Sequence, residues 1–179
     1  FMENLYRNPV ETAHDELFTW LEEGNMPITE DGCFIAYKRV RDDYTSLHDG
    51  STPNIVGTTV SLSSRDDADS NFRNECSRGL HFCSYSYLQS FSGARTLILK
   101  INPEDVVAIP ADYNHAKGRA WKYEVIGEVP NGERFDDSQV KLIVSDEIIQ
   151  GNCCVAAVRN KHQGNKQSDA RRFASNKSP

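Results

Sequence analysis

The sequence predicts an α+β fold: a single domain on a mixed or antiparallel sheet, with an N-terminal helix and a short helix after a central Gly-Leu-His strand. Three observations lead there. The chain has 179 residues, 38% hydrophobic and 26% charged, which is one domain's worth of apolar core in a globular balance. A single amphipathic run near the N-terminus precedes several short strand-like runs separated by turn signals. The long strand–helix alternation of doubly wound folds is missing.

The first element begins at Asn8-Pro9-Val10-Glu11, where Asn8 suits a cap, proline the first helical position, and Glu11 the third residue after the cap. The helix is expected to run to about Glu23 before Gly24, with Val10, Ala13, His14, Leu17, Phe18 and Leu21 on its inner face. After the Glu30-Asp31-Gly32 turn, Cys33 to Val40 reads as a strand. Its alternation puts Phe34, Ala36, Lys38 and Val40 on one face and Cys33, Ile35, Tyr37 and Arg39 on the other. Lys38 is the anomaly among apolar neighbours. An extended piece from Val56 to Leu62 follows the His48-Asp49-Gly50 turn and is a hairpin candidate. Residues 63–75 are polar and charged, a surface loop.

Residues 76–91 concentrate Cys76, Arg78, Gly79, His81, Cys83 and four aromatics. Leu80 to Ser84 is strand-like, and Tyr85 to Phe91 forms two helical turns with Tyr87, Leu88 and Phe91 inward. Thr96 to Ile101 is the most apolar strand and is expected at the centre of the sheet. Val106 to Ile109 ends at Pro110. Asp112 to Arg119 reads as a donor-rich loop before a strand from Trp121 to Val129, and Lys141–Val144 and Cys153–Val158 as final short strands.

Charge divides the chain. The formal total is -6, yet residues 159–179 hold six Lys and Arg against Asp169 alone, +5, leaving -11 for the rest. The domain is therefore expected over residues 2–158, followed by a basic, flexible tail. An acidic body repels a phosphate backbone, so weak nucleic-acid or membrane-surface contact falls to the tail. No apolar run approaches the roughly 18 residues of a membrane span, and the N-terminus lacks a signal-peptide core. Five cysteines, two of them adjacent, suggest a reduced, cytosolic chain.

The spacing Cys76-x4-His81-x-Cys83 lacks the close ligand pairs of structural zinc sites, so no metal is expected. Cys83, between Phe82 and Ser84, reads as a small core residue in preference to a nucleophile with His81 as its base. The glycine before the strand and the arginine beside it are more informative. Gly79 permits a tight turn or a close ligand approach, and Arg78 is an anion fork. With Lys38, His81, Tyr85, Tyr87, His115, Lys117 and Arg119, they form a candidate lining for a cationic pocket suited to a phosphate or nucleotide. The same cations also suit surface pairing with Asp66, Asp67, Glu75 and Asp112, and both readings stay open. No bound cofactor is expected.

These residues carry a family likeness. Ile28-Thr-Glu-Asp-Gly32 with Phe34 to Val40, His48, Asn54 to Val60 with Gly57, Cys76-Ser-Arg-Gly-Leu-His81 with Cys83-Ser-Tyr-Ser-Tyr87, and Asn102-Pro103 with Asp105-Val-Val107 come in order. Ile109-Pro110, Asp112-Tyr-Asn114, Ala116-Lys117, Arg119 and Tyr123-Glu-Val125 complete the series. Residues 17–125 thus resemble the C-terminal domain of the rapid-lysis rIIB proteins of tailed bacteriophages. The resemblance implies an early phage protein linked to lysis control and to protection against host defence or prophage exclusion. Together with the cluster of donors in an acidic body, this leads to the expectation of a protein that binds a host defence factor or sequesters a nucleotide-type signal without catalysis, in the host cytoplasm or at the periphery of its inner membrane. It brings no catalytic residues.

A weaker similarity joins Gly79 to Leu88, Leu97-Ile-Leu99 and Glu124 to ADP-ribosyltransferases of the poly-ADP-ribose polymerase kind. His81 stands where that pattern has tyrosine, and Tyr37-Lys38 is nearest to its first-strand motif. It implies an alternative, an enzyme handling NAD or a related nucleotide. Tyr85 or Tyr87 would stack on a ring, Glu124 would polarise a ribose hydroxyl, and His81 would assist.

Overall fold

A computed structural model describes residues 1–24, 26–90, 92–111 and 116–129. Two helices, α1 (Met2–Tyr6) and α2 (Glu11–Gly24), precede seven strands: β1 (Phe34–Val40), β2 (Thr59–Ser61), β3 (Leu80–Cys83), β4 (Arg95–Ile101), β5 (Val106–Ala108), β6 (Lys117–Ala120) and β7 (Lys122–Val129). The strands form one sheet in the order β2-β7-β4-β1-β3-β6-β5. Every neighbouring pair is antiparallel, as an α+β chain without strand–helix crossovers requires.

The sheet is organised by its most apolar strands. β4 and β1 pair at all seven positions, from Phe34 opposite Ile101 to Val40 opposite Arg95, and bury nearly every side chain on both faces. β7 then pairs with β4 through a bulge in which Ile126 is the extra residue between Gly127 opposite Ile98 and Val125 opposite Leu99. The edges are three-residue strands, β2 and β5, which leaves little open ladder for other chains to extend.

α2 seals one face. Ala13, Leu17, Trp20 and Leu21 are its buried residues. The indole of Trp20 meets the rings of Phe34 and Phe82 edge-on, at 5.3 Å each, and those two rings lie 5.8 Å apart. Each such pair contributes about 0.5–1.5 kcal/mol beyond the area it buries. Phe18, expected inside, is exposed, and Trp20 takes the central place instead. The helix rotates to bury the larger ring, which removes more apolar surface from water.

The helix start also differs. Asn8 accepts from the Val10 N–H as a cap residue should, but Pro9 precedes the first helical residue, Glu11. Asn8 is buried, and its amide donates to the carbonyls of Pro103 and Val106 at 2.8 and 2.7 Å, tying the helix entrance to β5. α1 is an element the sequence patterning did not predict.

Three further expectations change. The Val56–Leu62 piece shortens to β2 and pairs with β7 on the far edge, not with β1. The turns after β3 are 3-10 over Ser86–Ser90, with Leu88 buried and Tyr87 half-buried. Lys117, Gly118 and Arg119 lie in β6 and not in a loop, because β3 offers them a full set of partners. The expected strands at Lys141–Val144 and Cys153–Val158, the basic tail, Phe91 and His115 lie outside the described residues. Among the described residues no helix is long and apolar enough to cross a membrane.

Candidate functional site

β1 and β3 are neighbours, yet they pair at one position only, Tyr37 opposite Cys83. Each is committed elsewhere: β1 to β4 over seven pairs and β3 to β6 over four. Past Tyr37 and Cys83 the two strands part, and the wedge between them is a cavity of about 290 Å³. Tyr37, Lys38 and Arg39 line it from β1, and His81, Phe82 and Cys83 from β3. Ser46, Leu47 and His48 reach it from the strap joining β1 to β2. Glu75 and Cys76 reach it from the loop before β3, and Tyr87, Pro110, Lys117, Gly118 and Arg119 complete the wall.

Lys38 occupies the wedge. Its side chain is 9% exposed, and its Nζ donates to the carbonyl oxygen of His81 at 2.9 Å. That bond fills the place that continued strand pairing would leave to backbone, since a buried carbonyl needs a donor. The Tyr123 ring centroid lies 6.0 Å from Nζ, and no carboxylate among the described residues is within salt-bridge distance. Burial therefore pushes the Lys38 ammonium down to about 8, because a low-dielectric site penalises the charged form.

His81 is held in the opposite sense from an acid catalyst. Burial, and then the charge of Lys38, push its imidazole down to about 4, so it is neutral near pH 7. Its Nε2 lies 2.9 Å from the Ser77 carbonyl, and its ring meets that of His48 edge-on at 5.5 Å. Arg39 points one N–H group at the Gly93 carbonyl, 3.2 Å away, while its buried Nε has no hydrogen-bond partner among the described residues. The Lys117 ammonium stands over the Tyr87 ring at 5.8 Å.

Arg119 plays a different part from the one expected. It is 1% exposed, and its guanidinium donates to three backbone carbonyls, those of Asp69 at 3.0 Å, Asn71 at 2.8 Å and Asn74 at 2.5 Å. It is the post around which residues 69–78 are wound. The Asp69 carboxylate organises the same loop. Hydrogen bonds from Asn74, Ser77 and the Asn71 N–H hold it well below the usual carboxylate range. Gly79 stands against the stem of Arg119 at a φ of +146°, where a Cβ would lie 3.2 Å from it. The glycine thus serves the arginine's packing.

Of the predicted lining, the structure brings Lys38, His81, Tyr87, Lys117 and Arg119 together at the cavity. Arg78 is exposed and, with Gly79 and Tyr85, stays outside its wall. The ring of Tyr85 packs on Tyr37 at 5.2 Å. Glu124 is exposed on β7, opposite Thr59 and Lys100. Three strand spacings separate β7 from β3, about 14 Å, so Glu124 and His81 do not share a site. Cys83 is buried, its thiol pushed up to about 12 by burial, as a core cysteine should be. Among the described residues no group of three His, Cys, Asp or Glu could hold a metal ion.

Sequence reading did not place Arg39, His48, Glu75 or Cys76 in the lining, although it weighed Cys76 as a metal ligand and Glu75 as a surface partner of the cations. Strand alternation sends Lys38 and Arg39 to opposite faces. Where a sheet parts, neighbours from both faces reach the same gap, and no periodicity signals that.

The fold and cavity define a single-sheet α+β protein with a cation-lined wedge between two of its strands. Residues 1–149 match the family model described as Bacteriophage T4 protein rIIB, and the chain belongs to that family. Over 131 residues it is 43% identical to Protein rIIB of Enterobacteria phage T4, a match covering 72% of this chain and 42% of the T4 protein. The chain thus spans less than half the length of that relative. No solved structure matches it.

Proposed function

We propose that the wedge cavity binds a small anion of nucleotide type and that this phage protein acts in the infected cell by holding such a ligand, countering a host defence without catalysis. The observation that carries this reading is the charge of the wall. Lys38, Arg39 and Lys117 line it, with Glu75 the one acid among the described lining residues, in a chain whose net charge is -6. A positive recess in an acidic body concentrates anions where the remaining surface repels them. Arg39 adds a buried N–H that has no hydrogen-bond partner among the described residues, which a phosphate or carboxylate oxygen would satisfy. At about 290 Å³ the cavity is at the lower end of the ordinary range of roughly 300–1,000 Å³, favouring a mononucleotide over a dinucleotide.

The test is a thermal-shift series on the full chain with mononucleotides, cyclic nucleotides and ADP-ribose derivatives, each beside its uncharged nucleoside. A ligand that binds only the native state raises the melting midpoint, increasingly so as its concentration exceeds its dissociation constant. At least one phosphate-bearing compound should raise it, its nucleoside should not, and Arg39→Gln should abolish the rise. No shift across the series overturns the reading.

A further inference from the structure

The cavity contains a group that simple anion binding does not require. An anion seat is best served by exposed, fully charged cations, whereas Lys38 is 9% exposed, lacks a carboxylate partner among the described residues and bonds one neutral carbonyl. Desolvation of this kind leaves more of an amine in its free, nucleophilic form near neutral pH.

We propose that Lys38 is a covalent capture site, forming an imine with an anionic aldehyde or ketone bound in the wedge. The inference rests on the anion-binding reading of the same cavity and adds the carbonyl to the ligand's description. The step balances without a co-reactant. The Lys38 nitrogen attacks the carbonyl carbon, a C=N bond replaces the C=O bond, and the oxygen leaves as water with the two amine protons. Nothing is oxidised or reduced, and the linkage reverses by hydrolysis, as suits a protein that holds its ligand.

The surroundings fit that step. Nζ reaches across from β1 to the His81 carbonyl on β3, Lys38 lines the cavity, and Arg39 and Lys117 line it too, available to take the ligand's negative charge. The imidazole of His81, neutral near pH 7, adds no positive charge beside the imine. The ammonium loses its proton near pH 8 and not near 10.5, leaving roughly a tenth of the amine free at pH 7.

The experiment exposes the full chain to pyridoxal 5′-phosphate or to pyridoxal, reduces with borohydride and locates the adducts by peptide mass spectrometry. The expected result is reduced adduct concentrated at Lys38, a phosphate-to-pyridoxal labelling ratio there at least tenfold above that of the surface lysines, and labelling that rises through pH 8. Lys38→Arg, checked for an unchanged fold by circular dichroism, should lose that adduct alone. Label scattered over surface lysines with Lys38 unmodified overturns the covalent site. If a nucleotide still raises the melting midpoint in that case, the anion-binding reading survives it. A ratio at Lys38 equal to that of the surface lysines overturns the anionic ligand class and counts against the binding reading itself.

Discussion

The Lys38 ammonium lies 2.9 Å from the carbonyl oxygen of His81, so a side chain from one strand does what the backbone of that strand does elsewhere in the sheet. The arrangement places a positive charge where packing alone would place a methyl group. Its consequences for stability can be measured.

Lys38→Met should raise stability at pH 7. Lowering the ammonium from 10.5 to about 8 corresponds to about 3 kcal/mol of unfavourable burial, offset by about 1–3 kcal/mol because the His81 carbonyl loses its donor. A net gain of up to about 2 kcal/mol is expected from denaturant titration. The unfolded lysine keeps its proton up to 10.5 while the native one releases it near 8, so the parent gains on the variant across that window. The advantage of methionine should shrink between pH 8 and pH 10.5, and an advantage independent of pH would show that the buried ammonium is not its source.

His81→Gln should flatten the acid limb of the stability profile. The unfolded imidazole takes up a proton near 6.5 but the native one only near 4. His81 thus contributes stability fully present above 6.5 and lost as pH falls toward 4, on the order of 3 kcal/mol at most. Melts of parent and variant at pH 7, 5.5 and 4.5 read the difference directly.

Arg119→Lys should destabilise the chain by about 3 kcal/mol despite keeping the charge, because one ammonium cannot serve three carbonyls set around a planar fork. Hydrogen exchange in residues 69–78 should quicken more than exchange in β4. Uniform acceleration would mean that Arg119 does not fasten that loop in particular.

Gly118→Ala should cost about 2–3 kcal/mol, since an added Cβ would lie 2.1 Å from the Phe82 ring. Phe82 is packed edge-on against Trp20 and Phe34, so a shift of its ring disturbs both contacts. A double-mutant cycle with Phe82→Leu should show coupling of at least about 1 kcal/mol, and strict additivity would rule out this contact as the cause.

The parts of the fold legible in the sequence were those governed by local patterning. The apolar run Thr96 to Ile101 announced the central strand β4, and the amphipathic run from Ala13 to Leu21 announced α2. Pairing was less legible. β2 joins β7 across more than sixty residues of chain because β7 offers an open ladder, and nothing local to Val60 encodes that. For the site, Lys38 was visible as a charge in an apolar register, and Lys117 and Tyr87 as donors and rings near the glycine-led strand. Arg119 was visible too, but its three carbonyl partners are a tertiary fact, and composition cannot separate an arginine that holds a loop from one that holds a ligand.

The single pair between Tyr37 and Cys83 makes the sheet two rafts, four strands and three, moored at one point. Trp20 splints the rafts on one side by touching Phe34 and Phe82 together, and Tyr85 does so on the other through Tyr37. The wedge opens where that pairing stops, lined by β1 of one raft and by β3 and β6 of the other, so a body seated there would touch both.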